Sequence, residues 1–141
     1  MLASETGPEI LPIAEIEFVD FPGHYPRIVD YAAKWDSRSL VYQNTRRIFP
    51  DPVRERQLLD GLAELALRCW DTFALNGYAR IDLRVDGQAR PWVLEVNANP
   101  CLAPDAGFAA AAGRRGLTIT DVIARILKDC CALPHASAVN S

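Results

Sequence analysis

The sequence predicts an α+β fold in which an antiparallel sheet packs against helices. One long segment has apolar residues at three- and four-residue steps, which is typical of an amphipathic helix. Two short β-type segments lie on either side of a turn, which is typical of a hairpin. The segments do not follow a regular β–α–β alternation, and 141 residues of 50% apolar composition suit one compact domain.

The composition argues against several classes of protein. A net charge of −3 and a pI near 5.3 disfavour binding to nucleic acid or to an anionic membrane through bulk charge. The four cysteines show no C-x-x-C spacing, so neither a zinc site nor a disulfide framework is indicated. The sequence has no signal-peptide pattern and no apolar run near the ~18 residues that span a bilayer, so we expect a cytoplasmic protein.

The first half of the chain predicts one strand between less regular segments. Residues 1–8 are small and polar and end in Gly-Pro, so we expect a flexible N-terminus. Residues 9–19 carry β-type side chains with Glu15 and Glu17 on one parity, which predicts a strand with one wetter face. A turn is expected at residues 21–24, and residues 31–42 are ambiguous.

The second half predicts the remaining elements in clear order. An amphipathic helix is expected over about residues 53–74, ended by Asn76-Gly77. Its apolar stripe consists of Leu58, Leu62, Leu65, Cys69 and Phe73, and it is widened by Leu59, Ala66 and Trp70. Residues 78–86 and 91–97 predict two strands around a turn at residues 87–90.

Two shorter helices are expected after the hairpin. Asp105 is placed to cap a helix across the alanine run, with its end at Gly116. Thr118 and Asp121 have the spacing of a capping box, which predicts a final helix through Leu127. We expect a flexible tail over residues 134–141.

The hairpin concentrates polar side chains on one face. Pairing Asp86 with Pro91 places three apolar pairs on the other face: Leu83 opposite Leu94, Ile81 opposite Val96, and Val85 opposite Trp92. The same register sets Asp82 opposite Glu95 and Arg80 opposite Asn97.

Two opposed carboxylates predict a cation between them. At about 5 Å and an effective dielectric constant of about 20 their repulsion is about 3 kcal/mol, above the ~0.2–1 kcal/mol of a good cross-strand pair. Arg80 can relieve part of it, and a dication does so more directly. Asp82, Glu95 and Asn97 offer oxygen atoms, which favour Mg²⁺ or Mn²⁺ with phosphate oxygens as further ligands. The alternative is a solvated sheet face whose charges keep the hairpin soluble.

The segment after the hairpin predicts weaker substrate contacts. Residues 97–102 lead from the polar face toward the helix expected near Asp105, and a helix N-terminus can receive a carboxylate. Cys101 and Leu102 are therefore candidate substrate-binding residues, with an ordinary connecting loop as the alternative. A nucleophilic role for Cys101 is not indicated, because the sequence shows no obvious activating base beside it.

These segments together resemble the ATP-grasp ligases, and most closely their D-alanine–D-alanine ligase branch. The resemblance runs over residues 9–133, which we interpret as the C-terminal part of an ATP-grasp catalytic domain. It rests on GYARID at residues 77–82, VLEVNANP at residues 93–100, LP at residues 11–12, DYAAKW at residues 30–35, and the closing helices at residues 105–127.

The resemblance implies a function for each site residue. Asp82, Glu95 and Asn97 would bind Mg²⁺ ions that bridge the phosphates of ATP. Arg80 would stabilise charge on the transferring phosphoryl group, and Lys34 would contact the phosphates. The implied reaction phosphorylates a carboxylate, after which an amine attacks the acyl phosphate.

Differences from the family pattern leave alternatives open. Cys101 replaces the usual glycine, and Ala106 stands near the place of a serine that binds the acceptor, so another ATP-grasp amino-acid or peptide ligase is a second hypothesis. A third is a non-catalytic fragment or binding module that needs a partner chain. The phosphate-covering loop and the ATP hinge are expected from a further domain or chain. An uncovered edge of the strand at residues 9–19 predicts homo-oligomers.

Overall fold

The computed structural model describes residues 1–21, 26–28 and 43–132, and it confirms the α+β class. Two antiparallel two-stranded sheets and three helices occur in these ranges. In chain order the elements are β1 (Glu15–Phe18), β2 (Thr45–Ile48), α1 (Arg56–Thr72), β3 (Arg80–Val85), β4 (Pro91–Asn97), α2 (Gly107–Arg114) and α3 (Ile119–Ala132). Across the described ranges, none of the helices combines the length and the apolar character needed to cross a membrane.

The smaller of two compact units comprises Ile13–Pro50. In it β1 pairs antiparallel with β2, with Glu15 opposite Ile48 and Glu17 opposite Arg46. The strand expected over residues 9–19 is therefore limited to β1. Three of its four residues are exposed, so the expected difference between two faces is weak. The turn expected at residues 21–24 and the ambiguous segment at residues 31–42 lie largely or wholly outside the described residues.

The larger unit comprises Met1–Pro12 and Asp51–Ser141. It begins with a tight hairpin at residues 1–9, where a flexible N-terminus was expected. Leu2 is fully buried and forms antiparallel bridges to both Glu9 and Tyr78. The Ala3 N–H donates to the Gly77 carbonyl at 2.7 Å. One apolar side chain at Leu2 is too short a pattern to predict this burial from the sequence.

Helix α1 confirms the predicted long helix, with shorter ends. Its buried residues are Leu62, Ala66, Cys69 and Trp70. The expected end at Asn76-Gly77 is wrong by two residues, because Ala74 adopts φ +47° and the Leu75 N–H donates to the Trp70 carbonyl at 3.0 Å. This is a Schellman motif with alanine in the position that glycine usually takes. Phe73, expected on the buried stripe, is 59% exposed because the helix has already ended there.

The predicted N-cap of helix α2 is wrong, and its predicted end is confirmed. The N-cap is Ala106, which makes no side-chain cap hydrogen bond, so Asp105 is not the cap. At the other end Gly116 has φ +83°, and the Leu117 N–H donates to the Ala112 carbonyl at 3.0 Å. The predicted end at Gly116 is therefore a Schellman motif.

Helix α3 begins with the predicted capping box. The Thr118 N–H donates to Asp121 Oδ2 at 2.8 Å, and the Asp121 N–H donates to Thr118 Oγ1 at 3.2 Å. The helix extends beyond the predicted Leu127 to Ala132. Val122 is fully buried, and the Asp129 carboxylate accepts the Gly77 N–H at 2.7 Å. Helix α3 is thereby tied to the residues that lead into β3.

Candidate metal centre

The β3–β4 hairpin brings the four predicted polar residues to its open end. The observed register places Arg80 opposite Asn97 and Asp82 opposite Glu95, as predicted. Side chains two residues apart on a strand share a face. The two carboxylates, the amide and the guanidinium therefore lie on neighbouring positions of one face.

Ile81 lies opposite Val96 as predicted, but the register changes toward the tip, where the other two predicted apolar pairs are wrong. Leu83 lies opposite Val93 rather than Leu94, and Val85 lies opposite Pro91 rather than Trp92. Strand β4 thus holds one extra residue, which forms an irregularity next to the Asp82–Glu95 pair. Its side chains point partly to solvent, since Leu94 is 67% exposed and Trp92 is 56% exposed.

The tip explains this shift. The Asp86 N–H donates to the Arg90 carbonyl and the Ala89 N–H donates to the Asp86 carbonyl, both at 3.0 Å. Ala89 has φ +58°. This is a type I turn followed by a left-handed residue, a hairpin loop one residue shorter than expected.

Asp86 is surrounded by donors at this tip. Its Oδ1 accepts the Gln88 and Arg90 N–H groups at 2.9 and 3.0 Å. Its Oδ2 accepts Arg90 Nε at 2.9 Å and the Trp92 indole N–H at 3.1 Å. These bonds, the one from Trp92 first, lower the pKa of Asp86 to about 2. The sequence reading did not identify this cluster; the Asp-Gly pair at the start of the turn is the signal that could have shown it.

At the open end Arg80 pairs with Asp82 through two parallel hydrogen bonds. Arg80 Nε donates to Asp82 Oδ1 at 2.7 Å, and Nη2 donates to Oδ2 at 2.9 Å. The same Nη2 lies 3.8 Å from Glu95 Oε1. The hydrogen bond to Asp82 is the main cause that raises the pKa of Arg80 above its ordinary value. One guanidinium therefore offsets the repulsion between the two opposed carboxylates.

Asn97 is held by a turn that the sequence reading did not identify. Its Oδ1 accepts the Asn99 N–H at 2.9 Å. The Asn99 side chain in turn accepts the Tyr78 hydroxyl at 2.5 Å. The first contact is a local turn between residues two apart, in which asparagine commonly takes part. The second joins residues 21 apart in the chain, so periodicity does not predict it.

The donor set fits a hard divalent cation that takes its remaining ligands from outside the chain. Asp82 and Glu95 supply carboxylates and Asn97 supplies an amide oxygen, the donors that Mg²⁺ and Mn²⁺ prefer. Each Asp82 oxygen that accepts one Arg80 hydrogen keeps a second lone pair. The described residues contain no group of three or more His, Cys, Asp or Glu side chains able to hold a metal. Two carboxylates and an amide leave room for water and phosphate ligands.

The three other predicted site residues are not part of the β3–β4 hairpin. Lys34 lies outside the described residues. Cys101 is exposed, and its Sγ accepts the Ala103 N–H at 3.5 Å. Leu102 is half-buried in the segment that leads to α2.

Comparison with known proteins identifies the family. A family model described as D-ala D-ala ligase C-terminus matches residues 2–128, a range that includes the hairpin and its polar face. The chain belongs to this family. It corresponds to the C-terminal ATP-grasp part of the D-alanine–D-alanine ligase branch, and the match begins within the segment that was expected to be flexible.

Curated relatives carry the same name. The chain is similar to the D-alanine–D-alanine ligase of Bordetella petrii, with 28% identity over the whole chain and 40% of the relative. It is 31% identical to that of Nitrosococcus oceani over 84% of the chain and 34% of the relative. It is 41% identical to that of Synechococcus sp. (strain JA-3-3Ab) over 53% of the chain and 23% of the relative. The chain thus spans two-fifths or less of the length of these relatives.

Proposed function

We propose that the chain forms the C-terminal catalytic portion of an ATP- and Mg²⁺-dependent carboxylate–amine ligase that acts through an acyl phosphate. The observation that carries the proposal is the opposed pair Asp82 and Glu95 with Arg80 between them, on a hairpin within the family match. Phosphoryl transfer depends mainly on positioning and on positive charge near the phosphate oxygens. This face can supply both.

Asp82, Glu95 and Asn97 are the proposed metal ligands. A bound Mg²⁺ or Mn²⁺ would neutralise charge on the ATP phosphates and orient them. Arg80 uses two N–H groups on Asp82, and a guanidinium carries five. The remaining donors are therefore available for oxygens of the transferring phosphoryl group.

Three further residues are proposed for binding. Lys34 is proposed to contact the phosphates. Cys101 and Leu102 are proposed to line the substrate site, because they lie between the polar face and the start of α2. The nucleotide hinge is proposed to come from a further domain or from a partner chain.

The substrate pair is proposed as a small carboxylate and an amine. The names of the relatives favour D-alanine for both. A different amino-acid or peptide ligase is the second candidate, and the specific observation in its favour is the acceptor-side sequence. There Cys101 stands where the family usually has glycine, and Ala106 stands near the place of the family's serine.

Calorimetric titration of the 141-residue chain with ATP, in Mg²⁺ and again in EDTA, tests this function. We expect binding that requires Mg²⁺ and that Asp82→Asn abolishes. Asp86→Asn is the matched control, because it removes the same charge at the other end of the hairpin and should leave binding intact. Equal binding in EDTA, or full binding by Asp82→Asn, would contradict the proposed ligands. Absence of binding in both buffers would favour a module that needs a partner chain.

A further inference from the structure

The Asn97 side chain is oriented by a neighbouring backbone amide. Because the Asn99 N–H donates to Asn97 Oδ1 at 2.9 Å, the oxygen of the amide and not its NH₂ group faces Asn99. An amide oxygen has two lone pairs, so one remains for a further partner. The Asn99 N–H therefore determines how Asn97 presents its oxygen.

Tyr78 in turn fixes Asn99. The Tyr78 hydroxyl donates to Asn99 Oδ1 at 2.5 Å across the start of the hairpin. The Tyr78 ring packs edge-on against Phe108 of α2, with centroids 5.5 Å apart and an interplanar angle of 81°. Its backbone is bridged to the fully buried Leu2. Tyr78 is thus anchored on two sides, whereas Asn99 lies in an exposed loop.

We propose that Tyr78 is a positioning residue that acts through Asn99 to hold Asn97 in its ligand orientation. The inference rests on the proposed function, in which Asn97 is a metal ligand. The anchored ring makes the hydroxyl a fixed donor, and the bond to Asn99 restrains the turn that aims the Asn97 oxygen. Without the hydroxyl, Asn99 loses its side-chain restraint and the Asn97 amide gains freedom to rotate.

The test uses Tyr78→Phe, which keeps the ring and its packing on Phe108 and removes only the hydroxyl. The first measurement is the exchange rate of the Asn99 backbone amide proton by NMR without metal. Loss of one hydrogen bond is expected to raise this rate about fivefold. The second is the affinity for Mn²⁺ by electron paramagnetic resonance, expected to fall about tenfold, as for other groups that support a ligand.

Trp92→Phe is the matched control, since it also removes one aromatic donor, at the tip of the same hairpin. It should change neither measurement. An unchanged exchange rate in Tyr78→Phe, or an unchanged Mn²⁺ affinity in a wild-type chain that binds Mn²⁺, would overturn the positioning role. Failure of the wild-type chain to bind Mn²⁺ would contradict the proposed function, and the amide exchange rate would still decide whether Tyr78 restrains the turn.

Discussion

The two ends of the β3–β4 hairpin each hold an arginine–aspartate pair, yet the two pairs differ in what they leave available. At the tip, both Asp86 oxygens accept two hydrogen bonds, from Gln88, Arg90 and Trp92. At the open end, within the described part of the chain, each Asp82 oxygen accepts one hydrogen bond, and both bonds come from Arg80. A carboxylate oxygen accepts about two hydrogen bonds, so Asp86 is saturated and Asp82 is not.

The carboxylate side chains at the two ends of the hairpin also differ in their exposure to solvent. The side chain of Asp86 is 27% exposed, whereas those of Asp82 and Glu95 are 37% and 52% exposed. The tip carboxylate therefore holds a turn together, and the open-end carboxylates keep acceptor capacity for a ligand. Identical residue types on one hairpin thus differ in their remaining acceptor capacity, because two backbone and two side-chain donors surround Asp86 whereas Arg80 alone donates to Asp82 among the described residues.

The largest expected effect is at the open end, on metal affinity. Glu95→Gln replaces a proposed carboxylate ligand by a neutral amide of the same shape, so we expect the affinity for Mn²⁺ to fall at least about tenfold. Electron paramagnetic resonance of free Mn²⁺ measures this. Glu64→Gln on the exposed face of α1 makes the same change outside the site and should have no effect. Equal affinities in the two variants would remove Glu95 from the ligand set.

Removal of the open-end arginine should make stability depend on a cation. In Arg80→Ala, Asp82 and Glu95 face each other without a guanidinium, and solvent screening limits the expected destabilisation to about 1 kcal/mol. Addition of Mg²⁺ should restore most of this in thermal unfolding.

Arg90→Ala at the tip is the control for that experiment. It removes a donor from the saturated Asp86, and no opposed carboxylate is left behind in the described hairpin. Mg²⁺ should therefore not restore its stability. A Mg²⁺ effect of the same size in both variants would remove the distinction between the two ends.

The tip carboxylate should make the stability of the chain depend on pH. The pKa of Asp86 falls from an ordinary 3.8 to about 2 in the folded chain. The ionised form is favoured by folding, so its stabilising effect is complete above about pH 4 and is lost as the pH falls toward 2. Chemical denaturation between these values should show the loss, and Asp86→Asn should be less stable at pH 7 but flatter with pH. An unchanged slope in Asp86→Asn would contradict this.

The smallest expected effect is a gain in stability at the tip. Ala89 adopts φ +58°, a conformation that glycine reaches without steric cost. Ala89→Gly should therefore stabilise the chain by about 0.5 kcal/mol in denaturant unfolding and leave Mn²⁺ affinity unchanged. A loss of stability would mean that the turn tolerates alanine without strain.

The open-end register could be predicted from the sequence because it depends on strand alternation. Asp82 and Glu95 face each other as expected. The register at the tip could not be predicted, because it depends on a left-handed alanine at position 89 rather than on a glycine. The left-handed Ala74 at the end of α1 was missed for the same reason. Sequence patterns locate such turns through glycine, and here alanine takes its place.

Contacts between residues far apart in the chain could not be predicted from the sequence either. The capping box at Thr118 and Asp121 is local and was predicted. By contrast, the burial of Leu2 depends on its bridges to Glu9 and Tyr78, which no periodicity reveals. The bond from Tyr78 to Asn99 likewise spans the whole hairpin. The positions of the proposed ligand residues were thus predictable from their strands, and the contacts of Tyr78 and Asn99 beside them were not.

The most direct test of the difference between the two ends is a Mn²⁺ titration of wild type, Asp82→Asn and Asp86→Asn, followed by electron paramagnetic resonance. Each variant removes one carboxylate charge from the same hairpin. Retained affinity in Asp86→Asn with affinity lost in Asp82→Asn is the result we predict. Equal loss in both variants, or full affinity in Asp82→Asn, would show that the open end is not the metal centre.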